Sequence, residues 1–481
     1  MKGKTVHELV RKTAYEVVDL LRRGDVSPVE LVKVLEEHVA TADADVNALP
    51  IRFFEHAAAR AEALAKRHPE PRERGPLAGL PVAVKDYNDV AGQVTTFGSP
   101  IFANAIASQS DAMVKVLEGN GAIPYAKSNV PEFAGGHTYN TLFGPSRNPW
   151  DLTRSVGGSS GGAAASLAAG SAWLATGNDL GGSLRTPAGF NGVVGIRPTP
   201  GRVPRRRPAV PFDTLWVEGP MARNVTDAAL MLDAMVGYDP HDALTAHPQP
   251  SSFLAQLDRH EVPTRIAYSA DLGVLPVDPT VRNVARDSLR HFVDLGIDVV
   301  DTCPDFSDAY EAFQALRAHL IATIHASTLE QHRDLIKPDI VWNIEKGLGQ
   351  SLSLVQWAER ARGELVHRMA DLFADVDILV VPSAPLPPFP VEWESPRVVD
   401  GVELDSYIDW IAITFCISLT GSPVVALPCG LSSEGLPIGV QLVGRPGGES
   451  ALLSHARRFE AAVGIASSLP VTPGRRAPSV R

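Results

Sequence analysis

Cysteine is scarce. The three in the chain, Cys303, Cys416 and Cys429, are too few and too scattered for a disulfide framework or a CxxC metal site, so a reducing compartment fits best. No uncharged run reaches the roughly 18 residues of a membrane span. The N-terminus, Met1-Lys2-Gly3-Lys4-Thr5-Val6-His7-Glu8, has no apolar core long enough for a secretion signal. These absences give the reading of a soluble, cytoplasmic protein with no membrane partner. An excess of positive charge is missing too. A formal net charge of -11, spread without long like-charge blocks, argues against nucleic acid as the main partner, because phosphate binding needs a basic surface. The one basic run, Arg205-Arg206-Arg207, is bracketed by Pro204 and Pro208 and reads as a solvated turn. There is no GxxxxGK[ST] phosphate loop and no internal repeat.

What is present suffices for a large core: 481 residues, of which 44% are hydrophobic. Up to residue 65 the pattern is helical, with Leu20, Leu21, Leu31, Val34 and Leu35 recurring at three and four, and Ser27-Pro28 opening a helix over Val29 to Ala40. The turn-rich stretch His68 to Pro76 then separates a helical arm, residues 1–68, from the remainder, 69–481. Leu80 to Asp86 reads as a short buried strand. Strand-like pieces at Gly121–Tyr125, Asp377–Val381 and Pro437–Val443 alternate with helices starting near Ser110 and running from Asn224 to Met235. That alternation predicts a layered α/β fold. Residues 245–370 carry helical periodicity and few glycines, and read as a mainly helical, cap-like region.

Two Gly-Gly-Ser turns, Gly157-Gly158-Ser159 and Gly181-Gly182-Ser183, stand 24 residues apart around the apolar run Ala163 to Ala169. Each presents a serine hydroxyl where backbone comes close, and glycine lets successive N–H groups point inward as an anion cradle. Gly157-Gly158-Ser159-Ser160-Gly161 also satisfies G-x-S-x-G, the hydrolase nucleophile elbow, but an elbow needs a strand running into it, and Arg147 to Arg154 reads as a loop. Serine is a poor nucleophile at its free pKa, and neither turn has a flanking histidine, so a base must come from elsewhere. Lys85 is the candidate. To accept a proton near pH 7 it must be largely neutral, and Pro81-Val82-Ala83-Val84 supplies an apolar approach. Asp86 need not pair with it, since adjacent strand residues point to opposite faces. His137, a lone histidine near the expected pocket, reads as a packing or hydrogen-bonding residue.

With those residues in place the chain resembles the amidase signature family over nearly its whole length. Gly79 to Asp86 is similar to the family's lysine strand. Arg147 to Asp151, Gly157 to Gly162, Asn178 to Arg185, Pro187-Ala188 and Gly192 to Thr199 are similar to its core signature, and Gly421-Ser422-Pro423 with Gly435 to Gly444 to a third element. The resemblance implies a layered α/β/α fold with a large mixed central sheet, and a serine hydrolase of amide C–N bonds that works through an acyl-enzyme. It implies Ser183 as nucleophile, Ser159 as relay on a cis peptide bond and Lys85 as base. The N–H groups of Leu180, Gly181, Gly182 and Ser183 would form the oxyanion hole. Asp179, Arg185 and Ser160 would brace the nucleophile turn. No cofactor or metal is implied; homodimerisation is an expectation at the level of the family.

Some family members hydrolyse glutamine for a partner that modifies charged tRNA, and this remains the alternative reading. The chain departs from that branch: Leu180 stands where threonine is usual, Thr186 replaces glutamine, and Tyr139 replaces an acidic residue. A glutamine site needs charges for the amino acid's own ionised groups. Ala134, Gly135 and Gly136 occupy the segment that lines the acyl channel in similar enzymes, and small residues there leave room. With Tyr139, Leu142, Phe143, Trp410 and Phe415 nearby, the expectation is a roomy apolar cleft for aryl or alkyl amides and anilides, extending to esters and carbamates (urethanes).

Overall fold

A computed structural model describes residues 7–205, 208–245 and 251–474. Its frame is an eleven-stranded mixed sheet. In chain order the strands are β1 (Ile51–Arg52), β2 (Pro81–Lys85), β3 (Ile123–Ser128), β4 (Leu174–Asp179), β5 (Val194–Arg197), β6 (Val217–Ala222), β7 (Arg265–Tyr268), β8 (Asp298–Asp301), β9 (Ile378–Pro382), β10 (Val424–Leu431) and β11 (Pro437–Val443). Across the sheet they lie in the order β1-β3-β2-β4-β6-β5-β10-β11-β9-β7-β8. Strand β2 pairs in parallel with β3 and β4, and β7 with β8 and β9. The centre, β4 to β11, is antiparallel. Helices Gly161–Ala168 and Arg185–Asn191 pack against each other and the sheet, while Val225–Met235 packs with Ala112–Gly119 and Glu449–Val463. The architecture is α/β/α.

The strands that carry the site are buried along their full length, every residue of β2, β4 and β6 included. Strands covered on both faces read as continuous apolar or small-residue runs, which is why Pro81-Val82-Ala83-Val84 stands out in the sequence. The helix after Ser27 spans Pro28–Ala42, started by a capping box in which Ser27 Oγ accepts from Glu30 N and Glu30 returns to Ser27 N at 2.8 Å. Strand β3 begins two residues later than the sequence predicts, because Gly121 adopts φ +84° in the turn that leaves the preceding helix. The loop expected from Arg147 to Arg154 is instead a small hairpin, in which Arg147–Asn148 pairs with Asp151–Ser155 about the turn at Pro149-Trp150. Val10, Val17, Leu21, Leu31 and Leu35 of the first helices share one apolar core with the sheet. Among the described residues no helix is long and apolar enough to cross a membrane.

Candidate active site

Three adjacent strands deliver the polar side chains. Lys85 ends β2, Asn178 stands next to the end of β4, and Glu218 on β6 is the register partner of Asn178. Lys85 is fully buried, with Nζ 2.8 Å from Ser159 Oγ, 2.8 Å from Ser160 Oγ and 2.6 Å from Asn178 Oδ1. Burial disfavours the ammonium and pushes the amine down to about 7, against the opposing pull of the Glu218 and Asp179 carboxylates. An amine so placed can take up and return a proton near neutral pH. Asp86 turns away, to Lys127 at 3.7 Å and to the hydroxyl of Thr96.

The peptide between Gly158 and Ser159 is cis. Glycine is required before it, since a Cβ at 158 would lie 2.4 Å from the carbonyl oxygen of Gly136. The phenol of Tyr87 accepts from Ala134 N at 2.7 Å and donates to the Pro131 carbonyl. Its ring lies 4.9 Å from Lys85 Nζ.

Ser183 sits in the turn between β4 and helix Arg185–Asn191, and this turn is built around Asp179. Asp179 Oδ1 accepts from Gly182 N at 3.0 Å and Oδ2 from Leu184 N at 3.0 Å. Arg185 Nη2 approaches the same carboxylate at 2.9 Å and Arg197 Nη1 at 3.2 Å. Burial alone would raise the Asp179 carboxyl; the two guanidinium groups outweigh it and hold the group well below the usual carboxylate range. Gly182 has φ +131°, and a Cβ there would lie 2.2 Å from Thr414 Oγ1. One sequence expectation is corrected here. The Gly182 N–H is occupied by Asp179, because a buried carboxylate must be saturated with donors. Among the described residues no protein acceptor takes the N–H of Leu180, Gly181 or Ser183.

Ser183 is half-buried and lines a cavity of about 370 Å³. Its carbonyl accepts from Ser160 N at 3.2 Å, which joins the two Gly-Gly-Ser turns, and among the described residues its hydroxyl has no protein hydrogen bond. Phe97, Phe102, Phe133, Leu320, Ile321 and Ile324 make the apolar wall, and Asn178, Trp216 and Glu218 the polar end near the serine.

Of the predicted pocket residues, Ala134 and Leu180 line this cavity. Gly135 is packed instead, with a Cβ there only 2.2 Å from Ile340 Cδ1. Gly136 and Tyr139 are not among the lining residues, and Tyr139 pairs with Pro145 in a small hairpin. Trp410 packs with Phe190 and Phe389 in a separate small apolar cluster, and Phe415 stacks on Phe313 with ring centroids 4.2 Å apart in the main core, against Gly181. His137 is buried, 3.3 Å from Ser155 Oγ, and burial brings its imidazole down to about 4, leaving it neutral.

The solvated turn expected at Arg205 is also corrected. Arg205 is buried, paired to Asp242 at 2.7 Å and bonded to the carbonyls of Asp213 and Pro211, because a distant acid and two nearby carbonyls take four of its five donors. Arg206 and Arg207 lie outside the described residues. Sequence reasoning misses Tyr87, Glu218 and the wall from helix Ala309–His332. Asn178 stands just before the second Gly-Gly-Ser turn, where the pattern alone attaches no role to it.

The Amidase family model matches residues 30–453 of the chain. A glutamyl-tRNA(Gln) amidotransferase subunit of Moorella thermoacetica is 33% identical, covering 94% of this chain and 97% of its own length. Acylamidase of Rhodococcus erythropolis is 32% identical, covering 93% and 95%. The solved structure of a bacterial aryl acylamidase of the amidase signature family superposes with a TM-score of 0.87 at 27% identity, covering 97% of this chain and 99% of that one.

Proposed function

The chain belongs to the amidase-signature family and is an enzyme that hydrolyses amide C–N bonds with a Ser-cisSer-Lys machinery, and from that premise we propose that Ser183, Ser159 and Lys85 carry the reaction on apolar aryl or alkyl amides and anilides. Ser183 Oγ attacks the carbonyl carbon while its proton passes to Ser159 and from Ser159 to the free amine of Lys85. Rotation of the unengaged Ser183 side chain towards Ser159 opens the path; the Lys85 end is already at 2.8 Å. The oxyanion is held by the N–H groups of Leu180, Gly181 and Ser183, each typically lowering the barrier by on the order of 3 kcal/mol. The C–N bond then breaks, the proton returns along the same hydroxyl to the departing nitrogen, and a neutral amine leaves. Water repeats the sequence on the ester of Ser183 and releases the acid.

The apolar wall around Ser183 carries the choice of substrate. Glutamine brings an ammonium and a carboxylate that need partners, and of the charged groups along this cavity Arg205 and Asp213 are engaged by the protein, while Glu218 is buried with one oxygen held by Trp216. Arg205 is bound to Asp242, while Asp213 accepts from the N–H groups of Leu215 and Trp216. Relatives with the two kinds of name stand at nearly the same identity, so the side chains of the pocket decide between them. Leu320, Ile321 and Ile324 come from residues 245–370, which supports the proposal that this stretch caps a core of 69–481 behind the arm of 1–68. The test is a panel of an anilide, an aryl ester, a carbamate and glutamine offered to the purified chain. Turnover of the anilide with glutamine inert is expected; turnover of glutamine alone overturns the reading.

A further inference from the structure

Glu218 is a buried acid beside the site with no part in the steps above. Strands β2, β4 and β6 are neighbours, so Lys85, Asn178 and Glu218 stand in a row at one end of the sheet, Asn178 bonded to Lys85 and paired in register with Glu218. Glu218 is 1% exposed and lines the cavity that holds Ser183. Trp216 Nε1 donates to its Oε1 at 3.0 Å. Its Oε2 is buried and has no hydrogen-bond partner among the described residues. A carboxylate with one good donor in a dry environment is costly, and so is an ammonium that has no counter-ion. The other charges nearby do not resolve this. Asp179 faces Lys85 but is neutralised by Arg185 and Arg197, and Asp111, at the start of helix Ala112–Gly119, has the same sign as Glu218.

We propose that Glu218 is a positioning residue for the proton of Lys85: as a carboxylate it keeps the amine charged and idle, and as the neutral acid it lets the amine stand as the free base. The inference rests on the reading of Lys85 as base. Burial raises the Glu218 carboxyl just as it lowers the Lys85 amine, so the two titrate over the same range, and wherever Glu218 is ionised it holds the proton on Lys85 and delays the free base.

Glu218→Gln keeps the acceptor for Trp216 and removes the charge. With a neutral anilide as substrate, the acid limb of its kcat/KM profile is expected to move to lower pH by about one unit. Normalised to its own plateau, the variant is then up to about tenfold more active than wild type on the acid side. A side chain that only holds the fold lowers the plateau and leaves the limb in place. Should Glu218→Gln not fold, Trp216→Phe removes the donor that favours the carboxylate and must move the limb the same way. A limb that stays where wild type has it, or moves up, overturns the proposal. Lys85→Ala is measured alongside. If it retains wild-type amide turnover, the base reading has failed; if it is inactive while the limb of Glu218→Gln is unmoved, only the role of Glu218 has.

Discussion

The hydroxyl of Thr414 lies 2.7 Å from the carbonyl oxygen of Gly181, a contact that ties the turn bearing Ser183 to a helix 233 residues further along the chain. The same hydroxyl reaches Ile411 O in its own helix at 2.8 Å. A carbonyl fixed in this way fixes the plane of the peptide joining Gly181 to Gly182, whose N–H goes to Asp179, and so holds the turn that carries Ser183. Thr414→Val preserves shape and removes the donor. Losing a buried hydrogen bond typically costs on the order of 1 kcal/mol, so kcat is expected to fall by about fivefold with KM little changed. Steady-state kinetics on one amide check this, and an unaltered kcat would remove Thr414 from any part in aligning the turn.

Proton return to nitrogen distinguishes amides from esters. An amine is too poor a leaving group to depart unprotonated, whereas an alkoxide or phenoxide needs less help. Lys85→Ala is therefore expected to depress anilide hydrolysis by a larger factor than hydrolysis of the matching aryl ester. A covalent serine probe should label wild type and not Ser183→Ala. Labelling that survives in Ser183→Ala assigns the nucleophile elsewhere.

How far the site can be read from sequence depends on how local its causes are. The strand ending in Lys85 is legible because burial on both faces forces an apolar run up to the charged residue, and the helix start at Ser27-Pro28 is legible because an N-cap serine and a proline at the first helical position are adjacent in the chain. Helix Ala309–His332 is different. Leu320, Ile321 and Ile324 recur at spacings that would equally serve a filled core, so nothing in the pattern says that they face a cavity. Arg205 looks solvated between prolines because its partner, Asp242, is 37 residues away. Glu218 carries no local signal, since its meaning comes from Asn178 across the β4–β6 register. The family resemblance makes Gly182 an oxyanion donor, whereas the acceptor for its N–H, Asp179, lies only three residues upstream.

The wall of the cavity sets a size test. Ile324 is half-buried on helix Ala309–His332 and lines the same cavity as Leu180 and Ser183. Replacing it with tryptophan fills space that an aryl group would occupy. Ile324→Trp is expected to raise KM for a bulky anilide by about tenfold while leaving a short aliphatic amide nearly unaffected. Equal effects on both substrates would mean that this wall does not meet the substrate.

Asp179 joins stability to the site. Its carboxylate is the counter-ion of two fully buried guanidinium groups and the acceptor for two turn amides. Asparagine at this position keeps the size, loses the charge, and turns one acceptor oxygen into a donor facing other donors. Breaking a buried pair by removing one partner typically costs about 3–5 kcal/mol, so Asp179→Asn should be markedly less stable at neutral pH, with activity lost in the molecules that remain folded. The pH dependence follows from the sign of the shift. The folded carboxyl lies below its ordinary value of 3.8, so its contribution is present in full above the unfolded pKa and is lost as pH falls towards the folded one. The stability gap between wild type and Asp179→Asn is therefore expected to stay constant from neutral pH down to about pH 5 and to narrow below the ordinary carboxylate range. Denaturant midpoints at several pH values measure it directly; a gap that widens on acidification would mean that the two arginines do not hold this carboxylate ionised.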